Sequence, residues 1–175
     1  MKISAVEEYG VRCVLRLAME PDGGRLTVQE IAAREGLTVP YVAKLMSLLR
    51  EAGLVDSVRG RTGGFILTRP AAKISIEEVL SALGEPLFRT NYCENHAGTL
   101  DICAHQGNCS IRPVWQVLGE MIHQVLRGTS LADLRRQETQ VASYLQIGSE
   151  SALAGAGIFG TGMRTSPGSG TTRGE

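Results

Sequence analysis

The sequence predicts a mainly α-helical chain with one small β-hairpin and one long helix in its second half. Three observations carry this expectation. Short, capped, apolar-striped helices follow one another from residue 4 to residue 53. Two strand-like runs then flank a glycine-rich tip, and from about Ser110 to Gly128 a wide apolar stripe returns at the helical period.

Residues 4–19 place Val6, Tyr9, Val11, Val14, Leu17 and Ala18 mostly on one face, and Pro21, Asp22, Gly23 and Gly24 end the helix. Cys13 lies among those apolar neighbours, where a packing role is expected. A second helix starts at Thr27, with Glu30 three residues on as a capping box, buries Ile31 and Ala32, and stops at Gly36. The third has Thr38 as N-cap, Pro40 in its first turn and Val42, Leu45, Met46 and Leu49 as its apolar stripe, and ends at Gly53. Two short helices joined by a glycine-containing turn have the helix-turn-helix form.

Leu54–Val58 and Phe65–Thr68 read as strands, and Arg59-Gly60-Arg61-Thr62-Gly63-Gly64 between them reads as a hairpin tip. Such a wing brings backbone close to phosphate or to a narrow minor groove, with arginine supplying charge. Residues 40–73 hold six bases (Lys44, Arg50, Arg59, Arg61, Arg69, Lys73) against Glu51 and Asp56, a net +4 inside a chain of net charge zero. An ordinary solvated hairpin accounts for two arginines but not for the helix pair beside them. The expected architecture is therefore a winged helix-turn-helix that binds double-stranded DNA.

A fourth helix at 75–84 carries a second capping box, Ser75 with Glu78. Periodicity then disappears over 85–110. The helix that follows carries Ile111, Val114, Trp115, Leu118, Met121, Ile122, Val125 and Leu126 as its stripe. An amphipathic helix outside the DNA-binding core needs a surface to cover it, and a two-fold symmetric homodimer provides one. A new cap at Ser130, with Asp133 three residues on, starts a weaker helix to about Leu145. The domain reading is thus 1–84 DNA-binding, 85–109 cysteine loop, 110–147 dimerisation and C-terminal helices, and 148–175 a disordered tail with eight glycines.

Composition bounds the rest. At 175 residues, 43% hydrophobic and 21% charged, the chain suits one globular domain with a small appendage. It has no 18-residue apolar run, so no membrane helix is expected, and the opening MKISAVEEYG has acids where a secretion signal needs apolar residues. The expected compartment is the cytoplasm. Clustered cysteines in a reducing compartment point to metal or redox chemistry. Cys93, Cys103 and Cys109 are separated by nine and then five residues, which matches neither zinc-finger nor ferredoxin spacing nor Cys-x-x-Cys. An iron–sulfur cluster, a zinc ion, a thiol switch and no metal all stay open on the residues alone. A helix beginning near Cys109 favours thiolates there. No Ser/His/Asp set, phosphate loop or carboxylate pair is present, so no enzyme and no small-molecule substrate are expected. His123 falls on the long helix, as surface rather than ligand.

Taken together, the opening MKISAVEEYGVRCVLRLA, the helix pair TVQEIAAREGLTVPYVAKLMSLLREAGLV, the wing DSVRGRTGGFILTRPA and the three-cysteine loop resemble the Rrf-type family of winged-helix bacterial transcription regulators. The likeness runs from Met1 to about Leu145 and is to the three-cysteine iron–sulfur subgroup. It implies a homodimer on operator DNA, with the third helix in the major groove and the wing in the minor groove. Thr38, Pro40, Tyr41, Lys44, Arg59, Gly60 and Arg61 are the DNA-facing residues under this reading. It further implies Cys93, Cys103 and Cys109 as ligands of an iron–sulfur cluster, with [2Fe-2S] placed ahead of [4Fe-4S]. In the iron–sulfur-assembly repressors of the family a histidine ligand stands where this chain has Arg112. Glu8 matches the acidic first-helix ligand that nitric-oxide-sensing relatives take from the partner subunit, with Glu7, His105 and His96 behind it; otherwise it is a surface acid. Ala43 replaces a base-discriminating acid, so a different operator is implied. A repressor switched by redox state, nitric oxide or cluster status is the resulting function. The alternative is a winged-helix interaction module switched by zinc or thiols.

Overall fold

The computed structural model describes residues 3–21, 24–60, 63–85 and 97–155, with side chains as far as Gln146. The described residues form six α-helices and one two-stranded antiparallel hairpin. Arg61, Cys93, His96 and residues 156–175 lie outside them.

Helix α1 (Ala5–Met19) is the centre of the core, with Cys13, Val14, Leu17 and Ala18 buried against α3 and α4. Its capping box is Ser4 with Glu7, so the Glu7 carboxylate is buried at the helix start, accepting from the Ser4 N–H at 2.7 Å. Helices α2 (Val28–Glu35) and α3 (Val39–Glu51) follow, joined through Gly36 at φ +67°. The Thr27–Glu30 box caps α2 as its sequence requires. Strands β1 (Val55–Val58) and β2 (Gly64–Leu67) pair in the register Val55↔Leu67 to Val58↔Gly64, and Leu26 adds a single bridge to Phe65. A short 3₁₀ turn (Ala71–Lys73) leads into α4 (Ile76–Leu83), capped by Ser75 and Glu78. Gly84 ends α4 in extended backbone. A Cβ there would stand 2.8 Å from Glu7 Oε1, so a larger residue would have to displace the Glu7 carboxylate from its cap.

Helix α5 (Arg112–Gly128) begins three residues after Cys109, following a turn, rather than at it. The chain beyond α5 departs from the continuous helix expected from Ser130. Ser130 and Asp133 do bond reciprocally, but only a 3₁₀ turn (Asp133–Arg135) follows, and α6 starts at Glu138. The cause is Leu131, which is fully buried in the winged core. Its N–H donates to Ile74 O at 2.9 Å while Ile76 N–H donates to Thr129 O at 2.9 Å, holding 129–131 as an extended strap. The strap thus adds Leu131, from beyond residue 84, to the core that α1–α4 build. Helix α6 runs to Gly155, past the boundary expected at 147.

Two outcomes follow from this packing. Leu131→Ala removes a fully buried side chain and should lower stability by about 2–5 kcal/mol in urea unfolding; a loss under about 1 kcal/mol contradicts the strap. The cap carboxylates are held below their ordinary range: Glu30 mainly by the Thr27 N–H, Glu78 mainly by the Ser75 N–H and then Arg69, Asp133 mainly by the Ser130 hydroxyl. A depressed carboxylate stabilises above its unfolded pKa and loses that contribution as pH falls through the folded one. The urea midpoint should thus fall below about pH 4, less steeply in Glu78→Gln; equal acid slopes contradict the assignment.

Candidate functional site

Two surfaces hold the residues singled out in the sequence. The first is the helix pair with its wing. Val42, Leu45, Met46 and Leu49 bury one side of α3, which turns Thr38, Val39, Pro40, Ala43, Lys44 and Arg50 outward. Thr38 occupies the N-cap position in extended backbone, but its hydroxyl makes no capping hydrogen bond. An uncommitted hydroxyl at a helix N-terminus suits a phosphate oxygen. Tyr41 is half-buried, its ring edge-to-face with Tyr9 at 6.1 Å, and Arg12 stacks over Tyr9 at 5.4 Å. Tyr41 therefore ties the start of α3 to α1, and its ring is committed to that contact.

In the wing, Arg59 is exposed at the end of β1, and Gly60 adopts φ +118°, a backbone state that side-chain-bearing residues rarely reach. Gly63 N–H closes the tip onto Gly60 O at 2.9 Å. Arg61, the other wing arginine, lies outside the described residues. The basic segment is smaller than its residue count implies, because Arg69 donates to Glu78 at 2.8 Å. Among the described residues of α3 and the wing, Lys44, Arg50 and Arg59 are exposed cations.

The second surface is the cysteine loop with the start of α5. Cys103 and Cys109 are half-buried, free thiols. Gln106 N–H donates to Cys103 O at 3.0 Å, and Arg112 N–H donates to Cys109 O at 3.3 Å. The Arg112 guanidinium folds back over the loop, its Nη2 donating to Gln106 O at 2.9 Å and His105 O at 3.3 Å. Its Nε is buried with no hydrogen-bond partner. Leaving such a donor unsatisfied costs about 1–3 kcal/mol. His105 is exposed, and Glu8 is exposed on α1, one turn before Arg12. Among the described residues no three His, Cys, Asp or Glu side chains gather closely enough to hold a metal ion, so Cys103, Cys109 and Glu8 do not meet within one chain. Cys93 and His96 lie outside the described residues. Cys13 is fully buried, and burial pushes its thiol up to about 11, as suits packing.

Beside this loop, α5 and its N-cap leave Ile111, Val114, Trp115, Val117, Leu118 and Val125 between 37% and 48% exposed. Its far end is clamped to α4: His123 Nδ1 lies 2.7 Å from Glu77 Oε1, and Arg127 Nε donates to Glu77 Oε2 at 3.0 Å. The Arg127 hydrogen bond, with His123 behind it, keeps the Glu77 carboxyl below its ordinary range. A third polar link joins α1 to α2, where Arg12 and Arg16 both donate to the buried Glu35 carboxylate, Arg12 at 2.7 Å. Sequence reasoning missed all of these, because pairs 19 to 50 residues apart leave no periodic signal.

No helix of the described residues is long and apolar enough to cross a membrane. The comparisons with known proteins agree with the architecture. A family model described as Rrf2, iron-dependent transcriptional regulator, matches residues 3–137. The HTH-type transcriptional regulator IscR of Xenorhabdus nematophila is 33% identical over 138 residues, covering 79% of this chain and 81% of that protein. Among solved structures, IscR of T. potens superposes with a TM-score of 0.60 at 31% identity, covering 77% of this chain and 85% of that one. CymR (YrzC), the global cysteine regulator of B. subtilis, superposes with a TM-score of 0.65 at 27% identity, covering 77% and 96%. These relatives are regulators and not enzymes, and with the outward face of α3 and the wing beside it they place this chain in the Rrf2 family of winged-helix transcriptional regulators.

Proposed function

We propose that the chain acts in the cytoplasm as a homodimeric repressor whose operator affinity is set by an iron–sulfur cluster. The observation that carries this reading is the pairing of two half-buried, free thiols with the exposed apolar face of α5 directly after them. A second copy of α5 covers that face, which gives the two-fold symmetry that a paired half-site requires.

The donor chemistry fits a cluster. Cys103 and Cys109 supply soft sulfur ligands from one loop, Cys93 the third, and Glu8 of the partner subunit the fourth. The buried, unpaired Arg112 Nε–H is suited to an anionic sulfur acceptor. When bound, such a cluster supplies a link between subunits that responds to oxidants, nitric oxide or iron supply. Everything else is done by the protein. The Glu77 clamp and the 129–131 strap hold α5 to the winged unit, so rotation of one α5 against the other turns α3 with it. Half-sites lie about 34–36 Å apart on one face of the duplex, so a small rotation spoils the fit of both recognition helices.

On the DNA side, Thr38, Pro40 and Lys44 on α3, and Arg59, Gly60 and Arg61 in the wing, are the contact residues, with Tyr41 setting the pitch of α3. Lys44→Ala and Arg59→Ala should each weaken binding to an in-vitro-selected duplex and reduce the salt slope by about 1. An unchanged slope in fluorescence anisotropy contradicts the contact. For the cluster, the chain purified without oxygen should show visible absorption bands that vanish in Cys103→Ala. A chain that stays colourless after iron and sulfide are supplied contradicts the cluster, and stoichiometric zinc or oxidised thiols in its place would establish the switched interaction module instead.

A further inference from the structure

The Arg112 guanidinium combines three features that no other described cation shares. It stands on the first residue of α5, three positions after Cys109. Its Nη2 grips the carbonyls of His105 and Gln106, which lie between Cys103 and Cys109. Its Nε is buried and lacks an acceptor. The main chain closes the same loop, with Gln106 N–H on Cys103 O and Arg112 N–H on Cys109 O. One side chain is thus bonded to the segment joining two ligand candidates and still holds a charged donor in reserve.

An aspartate or glutamate is the usual partner for such a donor, and no ion pair involves Arg112 among the described residues. A loop with two soft sulfur atoms offers the other kind of anionic acceptor, a thiolate or a sulfide. We infer that Arg112 is a positioning residue of the cysteine site: Nη2 fixes the loop that joins Cys103 to Cys109, and Nε–H donates to an anionic sulfur of the loaded site. This inference rests on the cluster reading above and goes beyond it by giving a non-ligand residue control over the cluster's redox poise. A hydrogen bond and a positive charge at sulfur favour the reduced, more negative form, so Arg112 raises the reduction potential. Lysine cannot replace it, because a point charge on a flexible stem cannot hold two carbonyls and a sulfur at once.

The test compares the full chain with Arg112→Lys and Arg112→Ala, each reconstituted with iron and sulfide without oxygen. Midpoint potential is read from a dithionite titration followed in the visible, and cluster retention from a challenge with EDTA. Hydrogen exchange at the Gln106 amide is read in the iron-free protein. Both variants should have a lower midpoint potential than wild type. Arg112→Ala should also retain the cluster about 10–100-fold less well and exchange faster at Gln106. Should Arg112→Ala fail to fold, Arg112→Lys, which keeps the aliphatic stem and the charge, decides by its potential alone. Wild-type potential in folded variants overturns the inference, even where retention is lost, because a structural staple alone would not move it. Wild-type protein that takes up no iron overturns the inference and the cluster reading together, a result distinct from a loaded wild type with unshifted variants.

Discussion

The short strap after α5 is the constraint on which the rest of the structure depends. Leu131 sits fully buried in the winged core, and two backbone hydrogen bonds of 2.9 Å tie 129–131 to Ile74 and Ile76. A helix with an uncovered apolar face would otherwise hang from the domain by a loop. Strap and Glu77 clamp together hold α5 to α4, and α4 packs on α3, so α5 is joined to α3 through α4. Direct long-range pairs carry this continuity, and local helix propensity contributes little to it.

The polar groups inside the domain are placed by the same economy. Glu35 is buried yet receives both Arg12 and Arg16, so its charge is compensated from α1. Breaking one partner of such a group is far more damaging than the pair is stabilising, since an uncompensated buried charge remains. Glu7 is buried in a different way, turned back onto its own helix start beside Gly84. Its commitment to the cap leaves Glu8, exposed on the next position, as the first-turn acid of α1 that faces solvent.

Much of the fold was legible in the sequence wherever structure is local. The Thr27–Glu30 and Ser75–Glu78 boxes, the left-handed Gly36 and the period of α3 each encode their element within four residues, and each forms as read. The break at 129–137 was not legible, because the Ser130–Asp133 cap is real but tertiary pairing of Leu131 prevents it from nucleating a helix. The end of α6 at Gly155 was likewise missed, since a glycine-rich composition reads as linker regardless of context. For the site, the apolar stripe of α3 leaves Lys44 exposed and the glycine-rich tip marks the turn at Gly60, whereas the DNA-facing set as a whole is what the family resemblance implies. The grip of Arg112 on the cysteine loop, the commitment of Tyr41 to Tyr9 and the pairing of Arg69 with Glu78 did not, since side-chain direction across separate elements has no signature in one sequence.

On the proposed function, events at the cysteine loop reach α3 through α5. The most direct measurement is the affinity for one selected duplex, taken at the same salt concentration for the cluster-loaded and cluster-free forms of the same preparation. The two forms should differ by about 5–150-fold, the range of an allosteric coupling of roughly 1–3 kcal/mol. Equal affinities in the two forms, with both still dimeric, would contradict it.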